Sequence, residues 1–226
     1  AYVTARGLFE VYANGARIGD DVLSPGWTDY AQRIHYLTYD MTSVLKRGEN
    51  TLGAVLGDGW YSGYVGWRAL RGYWGFQTSL LMQFEIEFED GSRTTVATGD
   101  DWKCSEGPIV YSDLMAGEKY DATRELTGWS TASYNDAGWE PVMVVAPPEA
   151  KIVALPTEPV RIKEYVPALS VAEPVKGIYV FNLGQNIAGW ARLKVRGPKG
   201  TVITMRFGER LNPSGTVYTT NLRSAK

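Results

Sequence analysis

The nine residues Leu80-Leu81-Met82-Gln83-Phe84-Glu85-Ile86-Glu87-Phe88 decide the fold class. Met82, Phe84, Ile86 and Phe88 alternate with Gln83, Glu85, Glu87 and then Glu89. A period of two sends successive side chains to opposite faces of a strand, one apolar and one charged. Asp90-Gly91 follows as a turn, and residues 93–98 return. The stretch predicts a β-hairpin with one face on a core.

The same period recurs on either side. Residues 8–12 form a β-like run, Asn14-Gly15 is a hairpin turn, and Arg17 and Ile18 begin the return strand. Residues 32–38 alternate again. Asp40 reads as the N-cap of a short helical turn over 41–45, with Gly48 available for a left-handed position. Residues 51–56 (TLGAVL) lack polar alternation, which predicts a central strand buried on both faces. Trp102, Trp129 and Trp139 each follow a turn or polar cluster and are expected to plug the ends of a sandwich. A proline-punctuated connector runs from Pro147-Pro148 to Pro159. Beyond it, 160–166, 178–181, 188–195 and 202–207 are expected strands, with 167–174 a loop. No long helical pattern and no fixed-period repeat is present. The reading is therefore all-β, with a first domain over 1–150 and a linker plus a truncated second β domain over 151–226. A second sheet of about four strands would leave an apolar face and open edges needing partners.

Composition removes several function classes. The 226 residues carry a net charge of −2, which gives no basic footprint for nucleic acid. No apolar run approaches the length of a membrane span. One cysteine, Cys104, excludes an intramolecular disulfide and a cysteine zinc site, and leaves the compartment open. The one histidine, His35, sits in a strand-like run and argues against a His-based triad or a multi-His metal site. No GxxxxGK[ST] and no GxGxxG opening a helix is present, so no nucleotide cofactor is expected. The chain starts without Met or an apolar leader and ends abruptly, so both ends read as cut from a longer polypeptide.

One stretch invites chemistry: Gly57-Asp58-Gly59-Trp60-Tyr61-Ser62-Gly63-Tyr64-Val65-Gly66-Trp67. A sugar site needs a flat ring for the apolar face of a pyranose and a carboxylate or amide for its hydroxyls. Asp58 offers the acceptor. Trp60, Tyr61, Tyr64 and Trp67 offer rings, and the glycines permit close approach. The sugar-binding candidates are Asp58, Trp60, Tyr61 and Trp67. The same rings turned inward would be core, and the residues alone do not decide between the two. Asp58, Asp113, Glu118, Asp121 and Glu125 are the carboxylates near aromatic or glycine-rich sequence. None carries a local signature of the opposed acid pair that glycoside hydrolysis uses. Glu118 and Asp121 are expected to bind backbone amides or an arginine such as Arg124. Asp20-Asp21, Asp58 and Asp100-Asp101 sit in turns, but no calcium-loop spacing is present.

The order of several short motifs resembles bacterial α-L-rhamnosidases. The Asn14-Gly15 turn, Ser24-Pro25-Gly26-Trp27-Thr28-Asp29-Tyr30, Tyr39-Asp40-Met41-Thr42, Arg47-Gly48-Glu49-Asn50, Gly57-Asp58-Gly59-Trp60-Tyr61 and the AGEKYDA run at 116–122 are similar to their N-terminal carbohydrate-binding-like domain. Gly184-Gln185-Asn186, Gly189-Trp190 and Gly208-Glu209 are similar to the start of their next β domain. The resemblance implies a galactose-binding-like jelly-roll sandwich first. It implies a bacterial parent glycoside hydrolase that removes terminal α-L-rhamnose by inversion without an organic cofactor. It places the catalytic glutamates in an α/α domain C-terminal to these β domains, so this chain is expected to hold no catalytic residue and to be inactive alone. The implied partners are a rhamnose-containing glycan and the missing catalytic domain of the same polypeptide. It further implies calcium as a candidate ligand of Asp58, because some relatives bind L-rhamnose through calcium with an Asp-Asn pair at this turn. Here the pair is Asp58-Gly59, and Gly59 has no side-chain oxygen. The alternatives are a bracing domain without sugar binding and a stand-alone carbohydrate-binding module.

Overall fold

A computed structural model describes residues 1–66 and 70–222; the candidate Trp67 lies outside the described residues. The chain divides into two compact units, Ala1–Ile162 and Lys163–Lys226.

The first unit is built from β1 (Tyr2–Arg6), β2 (Leu8–Ala13), β3 (Ala16–Ile18), β4 (Arg33–Thr38), β5 (Leu52–Gly57), the one-turn helix α1 (Gly59–Ser62), β6 (Tyr64–Val65), β7 (Leu70–Arg71), β8 (Ser79–Glu87), β9 (Arg93–Ala97), β10 (Lys103–Cys104), β11 (Ile109–Asp113), β12 (Gly117–Tyr120), β13 (Glu140–Pro141) and β14 (Lys151–Ala154). One sheet runs β14-β4-β1-β8-β9, and a second runs β3-β2-β5. The pairs β6–β7, β10–β13 and β11–β12 form short ribbons. Every pairing within the two larger sheets is antiparallel except β14 on β4.

The two larger sheets face each other across one core. Val3 and Ala5 of β1, Leu37 of β4, and Met82 and Phe84 of β8 come from one side. Phe9, Val11 and Ala13 of β2, with Ile18 of β3, come from the other. Val3 lies directly across the ladder from Met82, and both are fully buried. The alternation in β8 is thus an inside–outside pattern, and the chain is an all-β sandwich over this unit. Truncating Met82 to Ala at such a site costs about 2–5 kcal/mol. The Asn14-Gly15 hairpin forms as expected, with φ of 50° and 88°. The turn at 41–45 also forms: Val44 and Leu45 donate to the Met41 carbonyl, and Asp40 accepts from the Thr42 N–H.

Several expectations change. β5 is not central: among the described residues it pairs with β2 alone, and Val55 and Leu56 are 36% and 37% exposed. Its unbroken apolar run reflects an edge with one face on the core, not burial on both. Phe88 leaves the core face, 50% exposed, because β8 ends at Glu87 and Phe88 already closes the hairpin onto Ser92. At 160–166 only a single bridge forms, Asp21 to Arg161, beside a Val22 N–H bond to the Val160 carbonyl. The stretch from 151 opens with β14, in parallel register from Lys151 beside Arg33 to Ala154 beside Tyr36. That ladder makes it part of the first unit's large sheet.

The second unit carries β15 (Ser170–Val175) paired with β16 (Ile178–Asn182). β15 occupies residues expected to be loop. Pro174 suggested a break, yet the register shifts between Ala172 and Val175, and such a bulge tolerates a residue with no N–H. The runs 188–195 and 202–207, expected as strands, form no ladder. None of the described residues 163–222 is buried.

Candidate functional site

The acidic aromatic turn begins where β5 ends. Asp58 takes the N-cap position of α1 but holds helical angles (φ −58°, ψ −42°), and its side chain makes no capping bond. Its carboxylate reaches Arg71 on β7 instead, where Oδ2 accepts from a guanidinium nitrogen at 2.5 Å. The Arg71 guanidinium carbon also lies 5.6 Å from the Tyr64 ring centre and 5.7 Å from that of Tyr111. Both are cation–π distances. Asp113, at the end of β11, accepts from the backbone N–H groups of Tyr64, Met115 and Ala116, each at 2.8 Å. Asp113 and Arg71 therefore tie the Asp58 turn to the β11–β12 ribbon. Burial and the Asp113 charge push the Tyr111 phenol above its ordinary range, and Arg71 opposes them.

Gly59 starts α1 at φ +53°. A Cβ there would stand 2.6 Å from Leu8 Cγ, so the turn closes against β2 only because residue 59 has no side chain.

The two rings after Gly59 diverge. Tyr61 is 9% exposed and packs with Tyr30, Ile34 and Ala150. Its ring meets Tyr30 edge-on at 5.2 Å. Tyr61 is core, not a sugar plate, because the helical turn of α1 points it away from solvent. Burial, then the neighbouring Tyr61 phenol, raise the pKa of Tyr30 far above the usual range. Trp60 is half-buried, and its ring lies parallel to Trp27, 6.1 Å between centres and 7° between planes. Trp74 meets Trp27 edge-on at 6.1 Å, and Tyr73 meets Trp74 at 4.7 Å. Trp27, Thr28, Asp29, Tyr73 and Trp74 line a shallow groove of about 380 Å³. Trp27 is 54% and Tyr73 64% exposed. Asp29 accepts from the Ala31 N–H and from Gln32 Nε2, which holds its carboxylate at the rim. The result is an open aromatic shelf with a carboxylate beside it.

Of the sequence candidates, Trp60 joins this shelf, Asp58 sits in the adjoining Arg71 cluster, and Tyr61 supports the shelf from below. Trp27, Tyr73 and Trp74 were missed as ring contributors. Their signal was present: Gly26-Trp27 and Gly72-Tyr73-Trp74-Gly75 repeat the glycine–aromatic mixture of the 57–67 stretch.

The remaining carboxylates have structural partners or lie open. Asp121 caps the short 3-10 turn Ala122–Arg124 by accepting from Thr123, which lowers its pKa. Arg124 pairs with Glu106 at 2.8 Å. Glu125 accepts from the Tyr120 hydroxyl, and that bond is the main cause pushing the Tyr120 phenol up to about 12. Glu118 is exposed on β12. His35 lies within β4, away from these groups in the ladder, with its carbonyl bonded to Thr4 Oγ1.

Calcium binds six to eight oxygens, including one or more free carboxylates. The residues here do not fit it. Asp58 is ion-paired, Gly59 supplies no side-chain oxygen, and both oxygens of Asp113 already accept from backbone N–H groups. Among the described residues no group of three His, Cys, Asp or Glu side chains could hold a metal ion.

Comparison with known proteins assigns the two units. The alpha-L-rhamnosidase N-terminal domain family matches residues 1–164, and the bacterial alpha-L-rhamnosidase concanavalin-like domain family matches 173–226. An α-L-rhamnosidase of Streptomyces avermitilis is 46% identical over 99% of this chain, which covers 22% of that protein. One from Formosa agariphila is 38% identical over the full chain, covering 24% of its length. The crystal structure of the S. avermitilis enzyme complexed with L-rhamnose superposes with a TM-score of 0.95 over 99% of this chain and 22% of that one. Native α-L-rhamnosidase from Aspergillus terreus gives 0.93 at 37% identity, over 100% of this chain and 26% of that one. The chain thus spans about a quarter of the length of these relatives. With one family match over its sandwich and another over its C-terminal residues, the chain belongs to the α-L-rhamnosidase family.

Proposed function

We propose that this chain is the ancillary β portion of an α-L-rhamnosidase, a glycoside hydrolase that removes terminal α-L-rhamnose, and that the hydrolysis itself is carried by parts of the parent outside this sequence. The observation that carries the reading is the second unit. Leu169, Val171, Phe181, Trp190, Val202 and Phe207 are all more than half exposed. Apolar surface on that scale is normally covered by further polypeptide. The carboxylates of the first unit support the same reading, since Asp58, Asp113, Asp121 and Glu125 are engaged in holding turns and side chains. The test is an assay of the 226-residue chain on an aryl α-L-rhamnopyranoside. No release is expected, and release at rates typical of a glycosidase would overturn the reading.

A second reading is favoured by the shelf. Trp27 and Trp74 line the groove beside Asp29, with Trp60 stacked on Trp27, the pairing of ring and acceptor that a pyranose needs. On this reading the first unit binds a rhamnose-containing glycan weakly. Tryptophan fluorescence should change during titration with L-rhamnose; an unchanged spectrum at tens of millimolar sugar would leave the first unit a purely bracing domain.

A further inference from the structure

We propose that Arg71 is the resident cation of the Asp58 turn and excludes a divalent metal from it. The guanidinium meets Asp58 Oδ2 at 2.5 Å and lies over the rings of Tyr64 and Tyr111. A guanidinium stays charged at every pH at which a protein is folded, and its planar fork suits both a carboxylate and a ring face. The positive charge that a metal would bring to Asp58 is therefore already present. An incoming calcium ion would have to displace Arg71 from one carboxylate and two ring faces together. It would then find no second side-chain oxygen at residue 59. That position is closed as well, since a Cβ there would meet Leu8 Cγ at 2.6 Å. The nearby Asp113 is no substitute, because both its oxygens accept backbone N–H bonds that shape Tyr64 and the 113–116 turn. Arg71 thus does two things at once: it neutralises Asp58, and it joins the α1 turn to β11.

Two measurements on the full 226-residue chain test this. The first is calcium chloride itself, by isothermal titration and by thermal unfolding in calcium against chelator. A site with a dissociation constant of about 0.1 mM, flooded at a hundredfold excess, would raise Tm by roughly 5–10 °C. The expected result is no saturable heat and coincident unfolding curves; saturable binding with a calcium-dependent rise in Tm overturns the proposal. The second is a cycle of Asp58→Asn, Arg71→Met and the double variant. Each single change should lower Tm, and the double variant should fall no further than the worse single. Losses that simply add would show that Arg71 does not act on Asp58, and the proposal would fail.

Discussion

Trp129 closes over Gly53: a Cβ added to Gly53 would stand 2.5 Å from Trp129 Cζ3. The indole covers that point of β5 and meets Tyr12 of the neighbouring strand β2 edge-on at 5.1 Å. It also lies near Trp139, at 6.4 Å and 24° between planes. Tyr12 and Gly53 sit opposite each other on the face turned away from Phe9, Val11 and Ala13, so this indole covers the outer face of the β3-β2-β5 sheet and not the sandwich end expected for it. Gly53→Ala therefore has two opposed effects. Reduced freedom of the unfolded chain stabilises by about 0.4–1 kcal/mol. Forcing a methyl into a packed ring costs about 1–3 kcal/mol. The clash should win, giving a net loss visible as a lower urea midpoint with unchanged slope. Trp129→Leu in the same background should recover part of it. A Gly53→Ala protein as stable as the parent would mean the indole is not where it is described.

The two faces of the aromatic turn should separate under mutation. Tyr61 is buried, so Tyr61→Ala should cost about 3 kcal/mol or more by chemical denaturation, as large aromatic truncations do. Trp27 is 54% exposed, and Trp27→Ala should change stability by less than about 1 kcal/mol. It should abolish any fluorescence response to L-rhamnose. The reverse pattern, with Trp27 essential to stability, would make the shelf part of the core.

What could be read from the residues came from local geometry. β8 was legible because one of its faces meets a core and the other meets water, so the pattern reports the pleat directly. The hairpin at Asn14-Gly15 was legible because its angles demand such residues. β1 carries no clean alternation in the sequence, since Thr4 places a polar residue in the middle of a central strand. Its burial is satisfied only by a bond from Oγ1 to the His35 carbonyl on the neighbouring β4. β5 shows the opposite failure: an apolar run states that a strand wants cover but not whether cover arrives. At the site, Asp58 was legible as an acidic turn. Its partner Arg71 was not, because that pairing depends on how the β6–β7 ribbon folds back. The same holds for Trp27, which reaches Trp60 from a loop on the far side of β4 in the sequence.

His35 offers a clean electrostatic probe, because it is the one histidine in the sequence. Burial first, and then the charge of Arg33, hold its pKa below the ordinary imidazole value. A depressed pKa means the unfolded chain takes up its proton first as pH falls. The neutral imidazole's contribution is therefore complete above the unfolded pKa and is lost on acidification through it and down to the folded value. A proton NMR titration should show one imidazole signal with a midpoint below that of a model peptide. Arg33→Ala should move that midpoint upward, and only in part, since burial is the larger cause. A midpoint at or above the peptide value would contradict the placement of His35 within β4.

Hydrogen exchange should divide the chain at the boundary between its two units. Protection needs hydrogen bonds that open only with a cooperative element. In the first unit β1 is paired on both sides, by β4 and β8, and its side chains Val3 and Ala5 are sealed in the core. Its amides should be among the slowest. In the second unit the β15–β16 hairpin rests on a ladder interrupted between Ala172 and Val175, and none of the described residues 163–222 is buried. An isolated two-stranded hairpin is marginal in water. Peptides from 188–207, which form no ladder, should exchange within the shortest labelling time, and those from 170–182 soon after. If the rest of an α-L-rhamnosidase covers these strands, the same peptides in the longer protein should slow by orders of magnitude while β1 stays as it was. Slow exchange at 188–207 in the 226-residue chain would mean that this unit is already complete, and would remove the main support for an ancillary role.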